Sequence, residues 1–129
     1  MPKPTNKSVV MVAKCLSGAA CRYHGRPTPR RHRLLDRLAA KNQVVFFCPE
    51  EASGMPTPRP PARWRDGRLI AAGRDVTQLF DRGARLALEL AQRLGVKKFY
   101  GLRGSPICDP RSGLTARLLR GRRIKCHFG

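Results

Sequence analysis

Short apolar runs of strand length alternate along the chain with stretches of helical periodicity. The runs span residues 8–14, 43–47, 96–102 and 123–128, and the helical stretches span 28–42, 75–94 and 115–119. The first two runs are continuous and apolar, which is typical of parallel strands buried on both faces. Strands that alternate with helices pair in parallel through right-handed crossovers. We therefore predict a single Rossmann-like α/β domain with a mainly parallel, open sheet and helices on both faces.

The ends of the helices carry typical start and stop residues. Thr28 is expected to cap the first helix, with Pro29 as its first residue. Asp75 and Gln78 have the spacing of a capping pair at the start of the long helix, and Gly95 is expected to end it. The buried stripe of this helix is expected to comprise Val76, Phe80, Ala84, Ala87, Ala91 and Leu94.

Two segments lie outside the alternating pattern. Residues 1–7 carry two prolines and two lysines without an apolar pattern, so we expect a flexible N-terminal arm before an α/β domain at 8–129. Residues 53–66 are rich in proline, which predicts a stiff connecting loop or a clamp over a site.

The chain is strongly basic. It has 27 Lys and Arg against 8 Asp and Glu, a formal net charge of +19 in 129 residues. Such a charge attracts polyanions, because contacts with phosphates release counterions. RNA, DNA or a phosphorylated metabolite is therefore an expected partner, and a solvated basic face is the alternative.

The five cysteines are expected to be reduced thiols. The apolar stretch 9–13 is too short for the core of an export signal and is followed by Lys14, and no window approaches the length of a membrane span. We therefore expect a cytoplasmic protein without membrane association, since reduced cysteines are typical of that compartment.

Three cysteines follow three of the predicted strands. Cys15 comes directly after the first strand, Cys48 after the second, and Cys108 lies in the loop after the third. The carboxyl ends of parallel strands meet at one edge of a sheet, so these thiols are expected to converge there. A single cysteine is more often a small buried apolar residue, but three at consecutive strand ends favour a soft metal centre holding an iron–sulfur cluster, zinc or copper(I). The paired C-x-x-C spacing of zinc ribbons is absent.

Two further cysteines and two glutamates bear on such a site. Cys21 is a spare candidate for a fourth ligand or a redox partner, whereas Cys126 on the last predicted strand is interpreted as structural. Glu50 and Glu51 are notable in a chain with so few acids, because a carboxylate beside a metal centre can move protons. The alternative is that each is a helix-start or surface glutamate paired with one of the many arginines.

The ordered set of short motifs resembles a family of small iron–sulfur proteins that includes bacterial thiouracil desulfurase. The resemblance runs from about residue 9 to residue 125. Its motifs are Cys15-Leu16 with Gly18, Cys21-Arg22-Tyr23 with Gly25, Cys48-Pro49-Glu50, the segment 55–62, Asp75-Val76-Thr77, and Ser105-Pro106 with Cys108. Ile107 and Asp109 depart from the Ser and Gly that are usual in the family.

The resemblance implies a cofactor and a reaction. Cys15, Cys48 and Cys108 would ligate a 4Fe-4S cluster and leave one iron open to bind the sulfur of a thiocarbonyl substrate. Glu50 would transfer protons for the attacking water, and Ser105 would hydrogen-bond the base. The implied reaction is hydrolytic desulfuration of a thiolated pyrimidine base or nucleoside.

Two other function classes remain open from the sequence. The first is an RNA-binding protein in which charge dominates and any cluster is structural. The second is a thiol redox protein that uses Cys15 and Cys21 and binds no iron.

Overall fold

The computed structural model describes residues 8–27 and 29–129. Its strands, in chain order, are β1 (Ser8–Ala13), β2 (Asn42–Phe47), β3 (Arg63–Arg65), β4 (Arg68–Ala71), β5 (Arg74–Asp75), β6 (Lys98–Gly101) and β7 (Lys125–Phe128). Its helices are α1 (His32–Lys41), α2 (Pro49–Ala52), α3 (Thr77–Leu94) and α4 (Leu114–Arg120), and a 3-10 turn spans Lys14–Ser17.

The main sheet has the strand order β2-β1-β6-β7, and every neighbouring pair in it is parallel. The chain moves outward from β1 to β2 and then crosses back over β1 to β6 and β7. Right-handed crossovers therefore place α1 on one face and α3 and α4 on the other, and α3 packs against α4. This confirms the predicted α/β fold with a parallel sheet.

The core lies around β1, the most deeply buried strand. Its residues Val10–Ala13 are buried and pack with Phe99 of β6 and with the buried stripe of α3. That stripe follows the prediction from Phe80 to Ala91, but Leu94 is exposed. β2 is an edge strand and only partly buried, so the expectation of burial on both faces is wrong for it. None of the described helices is both long and apolar enough to cross a bilayer.

Two helix starts differ from the prediction. Helix α1 begins at His32 instead of Pro29, because the backbone N–H of Arg31 donates to the carbonyl of Leu16 (3.0 Å) and holds the preceding segment against the 3-10 turn. The expected cap Thr28 and the expected arm 1–7 lie outside the described residues.

The long helix α3 lacks the predicted capping pair. Val76 occupies the cap position, and Gln78 makes no bond to Asp75 among the described contacts. Asp75 instead accepts the N–H of Thr77, the first residue of α3 (3.0 Å). Its carboxylate also forms an ion pair with Arg68 on β4 (2.8 Å). Gly95 ends the helix in a left-handed conformation, as predicted.

A second, antiparallel sheet was not predicted. β3, β4 and β5 form a meander over residues 63–75, where only the end of a loop was expected. Its turns are Asp66-Gly67 and Ala72-Gly73, all four residues with positive φ, which is the geometry of two-residue hairpin loops. Asp-Gly is a hairpin signal, but β3 is wholly exposed and the buried alternation is confined to Leu69 and Ala71 of β4, so the flanking apolar pattern is short.

Two glycines allow close approaches that hold the cysteine-bearing segments. Gly83 in the middle of α3 faces Pro49, and a Cβ there would overlap the Pro49 carbonyl. Gly101 ends β6, and a Cβ there would overlap the carbonyl of Cys108. The segment after β2 and the loop after β6 are therefore packed directly onto the scaffold.

The loop after β6 is organised by Asp109. Its carboxylate accepts the backbone N–H groups of Gly104 (2.7 Å), Arg111 (2.8 Å) and Ser112 (3.0 Å). Burial alone would raise the pKa of Asp109, but the hydrogen bonds from Gly104, Ser112 and Arg111 outweigh it, and the pKa is lowered. Asp109 thus stabilises the loop that carries Cys108.

We expect Asp109→Asn to lower the free energy of unfolding at pH 7 by about 2 kcal/mol, because hydrogen bonds to a charged acceptor are lost. The pKa of Asp109 is lower in the folded chain than in the unfolded chain. The contribution is therefore complete above the unfolded carboxyl pKa of about 4 and is lost as pH falls through the folded pKa.

Urea unfolding of the parent and the variant from pH 7 down to pH 3 measures this difference. Asp36→Asn, at an exposed position on α1, is the matched control and should change little. If Asp109→Asn lowers the free energy of unfolding by the same amount at every pH, the stabilisation does not depend on the charge of the carboxylate.

Candidate functional site

The parallel strands β1, β2 and β6 end at one edge of the sheet. Ala13 on β1 is paired with Phe47 on β2, and Val12 is paired with Tyr100 on β6. The residues that follow these strands therefore leave the sheet close together. All five predicted site residues line one cavity of about 340 Å³ at this edge, namely Cys15, Cys48, Glu50, Ser105 and Cys108.

Each of the three cysteines is held by local backbone structure. Cys15 lies in the 3-10 turn, which Gly18 closes with φ 92° and an N–H bond to the Cys15 carbonyl (3.2 Å). Cys48 is the cap residue of α2, whose first residue is a proline. Cys108 is held by Ser105, whose hydroxyl oxygen accepts the N–H of Cys108 (3.0 Å).

A fourth cysteine, Cys21, lines the same cavity and is 3% exposed. The sulfurs of Cys21 and Cys48 and a carboxylate oxygen of Glu51 lie within 4.8 Å of one another. The edge of the sheet therefore gathers four thiols, one more than the strand-end argument predicts.

The surroundings keep Cys21, Cys48 and Cys108 protonated in the absence of a cation. The neighbouring thiol of Cys15, together with burial, raises the pKa of Cys21 to about 11. The neighbouring thiol of Cys21 and burial raise the pKa of Cys48, and burial raises the pKa of Cys108. Thiolates in this cavity need a compensating positive charge, and metal binding to such sites releases protons.

Glu50 forms an ion pair with Arg59 at the cavity wall. The two side chains are only 13% and 6% exposed, so the charges are largely removed from water. Arg59 also donates to the carbonyl of Cys21 (2.9 Å) and to the hydroxyl of Thr57 (2.9 Å). The guanidinium thus joins the glutamate, the Cys21 loop and the proline-rich segment.

Glu51 forms a more exposed ion pair with Lys14 (2.8 Å). Both glutamates therefore have cationic partners, as the alternative interpretation expected, but Glu50 combines its partner with burial and a place in the cavity. The remaining walls are largely apolar and include Phe47, Phe80, Leu102 and Ile107.

The donor set fits a soft metal centre. Thiol sulfur favours iron–sulfur clusters, zinc and copper(I), whereas hard cations need several oxygen ligands. The carboxylate of Glu50 is occupied by Arg59, which leaves sulfur as the dominant available donor in the cavity. Apolar walls around the thiols limit access of water, as is common around such centres.

Sequence reasoning missed the role of Arg59. The proline-rich segment 53–66 was expected to be a loop or a clamp, and Arg59, Pro61 and Ala62 of this segment do line the cavity. No local pattern distinguishes Arg59 from the many other basic residues. The scarcity of acids offered one signal, since a buried glutamate must find a cationic partner.

A family model, a curated relative and a solved structure match this chain. The family model of 2-thiouracil desulfurase matches residues 10–126. The uncharacterised protein YbbK of Bacillus subtilis (strain 168) is 30% identical, over 78% of this chain and 72% of that protein. The solved structure of a [4Fe-4S]-dependent thiouracil desulfidase, TudS, superposes with a TM-score of 0.85 at 37% identity, covering 94% of this chain and 90% of the other.

The family match includes all four cysteines of the cavity and the Glu50–Arg59 pair. The resemblance expected from the short motifs is thereby confirmed. This chain belongs to the 2-thiouracil desulfurase family.

Proposed function

We propose that this chain is a cytoplasmic iron–sulfur enzyme that removes sulfur from a thiolated pyrimidine base or nucleoside. The observation that carries the proposal is the convergence of Cys15, Cys48 and Cys108 in one cavity of a chain from this family. The solved neighbour is a [4Fe-4S]-dependent thiouracil desulfidase, which supports a 4Fe-4S cluster as the cofactor here.

Cys15, Cys48 and Cys108 would hold this cluster, one thiolate from the end of each of three strands. With three protein ligands, a 4Fe-4S cluster supplies one iron that is open to the sulfur of a thiocarbonyl group and acts on it as a Lewis acid. The apolar side chains of Phe47, Phe80 and Leu102 offer surfaces against which a flat base can pack.

Glu50 is the group that we assign to proton transfer. In its ion pair with Arg59 it is an ionised carboxylate, so it can accept a proton from the water that attacks the thiocarbonyl carbon. Water adds its oxygen to that carbon, the carbon–sulfur bond breaks, and sulfur leaves as hydrogen sulfide. The balanced reaction converts thiouracil and water into uracil and hydrogen sulfide without net oxidation.

Ser105 is the residue to which we assign a hydrogen bond with the bound base. Its oxygen accepts the N–H groups of Ile107 (3.3 Å) and Cys108 (3.0 Å), which leaves the hydroxyl proton as a donor. The hydroxyl can donate that proton to an acceptor on a bound base. Ser105 therefore links the position of one ligand to the position of the substrate.

Two arginines that line the cavity bear on whether the substrate carries a phosphate group. Arg22 and Arg63 line it, and neither forms an ion pair with a carboxylate among the described residues. Arginines without a carboxylate partner are well suited to bind phosphate. A phosphorylated thionucleoside should therefore be assayed beside the free base and the nucleoside.

We expect Cys15→Ala, Cys48→Ala and Cys108→Ala each to lose most of the bound iron and the desulfurase activity. The parent, purified without oxygen, should hold about four iron atoms per chain. Iron and sulfide counts, the visible absorption spectrum and uracil formation measure the effect. Cys126→Ala is the control, because Cys126 lies on β7 outside the cavity. Full iron in all three variants would refute the ligand assignment.

We expect Glu50→Gln to retain the cluster but to lower kcat about 100-fold or more, because proton transfer is lost. Glu89→Gln, which removes an exposed carboxylate from α3, is the control. Iron content and thermal unfolding must be measured together with activity, since Arg59 loses its charged partner in the variant. Unchanged kcat in a folded, iron-replete variant would exclude Glu50 from proton transfer.

RNA binding is a second candidate function, favoured by a basic groove at the opposite edge of the sheet. The groove lies at the amino ends of β6 and β7 and has a volume of about 610 Å³. No carboxylate lines it, and its cationic residues are Lys97, Lys98, Arg122, Arg123 and Lys125. Five cations without a compensating acid favour a phosphodiester backbone as ligand.

We expect single-stranded RNA to bind with a dissociation constant that rises with salt at a logarithmic slope of about 3. Fluorescence anisotropy measures the slope, and Lys97→Gln with Lys98→Gln should reduce it by about 1. Arg85→Gln with Arg93→Gln, on exposed ion pairs of α3, is the matched control. RNA binding without sulfide release from 2-thiouracil would favour the binding function over the enzymatic one.

A further inference from the structure

The side of the main sheet that carries α1 is covered over only half of its width. α1 joins β1 to β2 and packs against β2, whereas α3 and α4 lie on the opposite side. Right-handed crossovers leave no α-helix of the described chain over β6 and β7 on the α1 side. Parallel sheets are ordinarily covered on both sides, because both faces of their strands are apolar. The uncovered half therefore needs a different explanation.

The residues on this uncovered half are polar and basic. The sulfur of Cys126 on β7 lies 3.8 Å from the carbonyl of Ala116 in α4, so Cys126 points to the α4 side. Side chains alternate along a strand, so the neighbours of Cys126 on β7 and the residues paired with them on β6 point to the opposite side. These residues, which we call the open face, are Lys98, Tyr100, Lys125 and His127. Tyr100 is half-buried and the other three are exposed.

The two lysines of the open face form a cross-strand pair of like charges. Lys98 lies directly opposite Lys125 in the register of β6 with β7. Like charges in such a pair destabilise a sheet. Neither lysine has a carboxylate partner among the ion pairs of the described residues. A bound anion would offset this repulsion, so the lysine pair has the chemistry of a phosphate contact.

The two rings of the open face form the next cross-strand pair. Tyr100 lies directly opposite His127, and their rings are stacked, with centroids 5.1 Å apart and planes at 29°. Unpaired nucleobases stack on such rings with little regard to sequence, and exposed aromatic residues on an open sheet are a common platform for single-stranded RNA. The ring pair is two residues from the lysine pair, about 7 Å along the strands, so one nucleotide can reach both.

The open face is continuous with the basic groove at the amino ends of β6 and β7. Lys98 and Lys125 belong to both surfaces. The groove by itself offers only charge, which attracts single and double strands alike. The ring pair adds a contact that only an unpaired base can make. The combined surface therefore favours a single strand over a duplex.

We propose that the open face is a stacking platform for single-stranded RNA, with a phosphate on the lysine pair and an unpaired base on the ring pair. This inference rests on the RNA-binding candidate function, to which it adds the site where a base is held. It does not depend on desulfuration, because neither Tyr100 nor His127 lines the cysteine cavity.

The test measures binding of a fluorescein-labelled oligouridylate to the full chain by fluorescence anisotropy. We expect His127→Ala to raise the dissociation constant about tenfold, because one base loses its stacking partner. The salt slope should stay the same, since no phosphate contact is removed. His127→Phe, which keeps a ring, should bind at least as tightly as the parent. His32→Ala, at the exposed start of α1, is the matched control.

A second measurement observes the stacking directly. In the NMR spectrum of the parent, the ring protons of His127 should shift upfield when the oligouridylate is added, because a stacked base shields them. The resonances are assigned by their loss in His127→Ala. A duplex RNA of the same length should bind more weakly and leave these resonances in place.

The outcomes separate the platform from RNA binding as such. If His127→Ala and Tyr100→Leu, both folded by thermal unfolding, bind the oligouridylate as tightly as the parent, while Lys97→Gln with Lys98→Gln binds more weakly, the platform is refuted and the groove stands. Equal affinity of the parent for duplex and single strand would also refute the platform. A parent that does not bind the oligouridylate refutes the platform and the RNA-binding candidate together.

Discussion

The parallel pairing of β1 with β2 and β6 is the constraint on which the site depends. Parallel strands in register end at the same level, and the segments that leave them must share the space above the sheet edge. Residues separated by 33 and 60 positions in sequence, Cys15 to Cys48 and Cys48 to Cys108, become neighbours in this way. An antiparallel arrangement of the same strands would send these cysteines to opposite edges.

Arg59 is the second organising element, because it links three parts of the cavity that the sheet alone does not position. Its guanidinium contacts Glu50 after β2 and the carbonyl of Cys21 before α1, while its own segment lines the cavity. Removing one partner of such a buried pair costs several kcal/mol, about 3 to 5, since the remaining charge is left without compensation. The geometry of the glutamate and that of the Cys21 loop are therefore coupled.

The fold and the convergence of three cysteines were predictable because they follow from local patterns. Continuous apolar runs, helical periodicity and strand-end positions are readable without tertiary information. The hairpins at 63–75 were missed because β3 is wholly exposed and the apolar alternation is confined to the four residues of β4. The late start of α1 depends on a tertiary hydrogen bond from Arg31 to Leu16, and the role of Arg59 depends on the burial of Glu50. Such contacts leave no local signature in the sequence.

Gly83 limits how this scaffold can be stabilised. Replacing a glycine within a helix by alanine commonly gains about 1 kcal/mol, because alanine has the higher helix propensity. Here the missing methyl group is the space that the Pro49 carbonyl occupies, one residue after Cys48. An engineer who seeks a more heat-resistant variant should therefore leave this glycine alone, because the substitution would strain the backbone beside Cys48, a ligand of the proposed cluster.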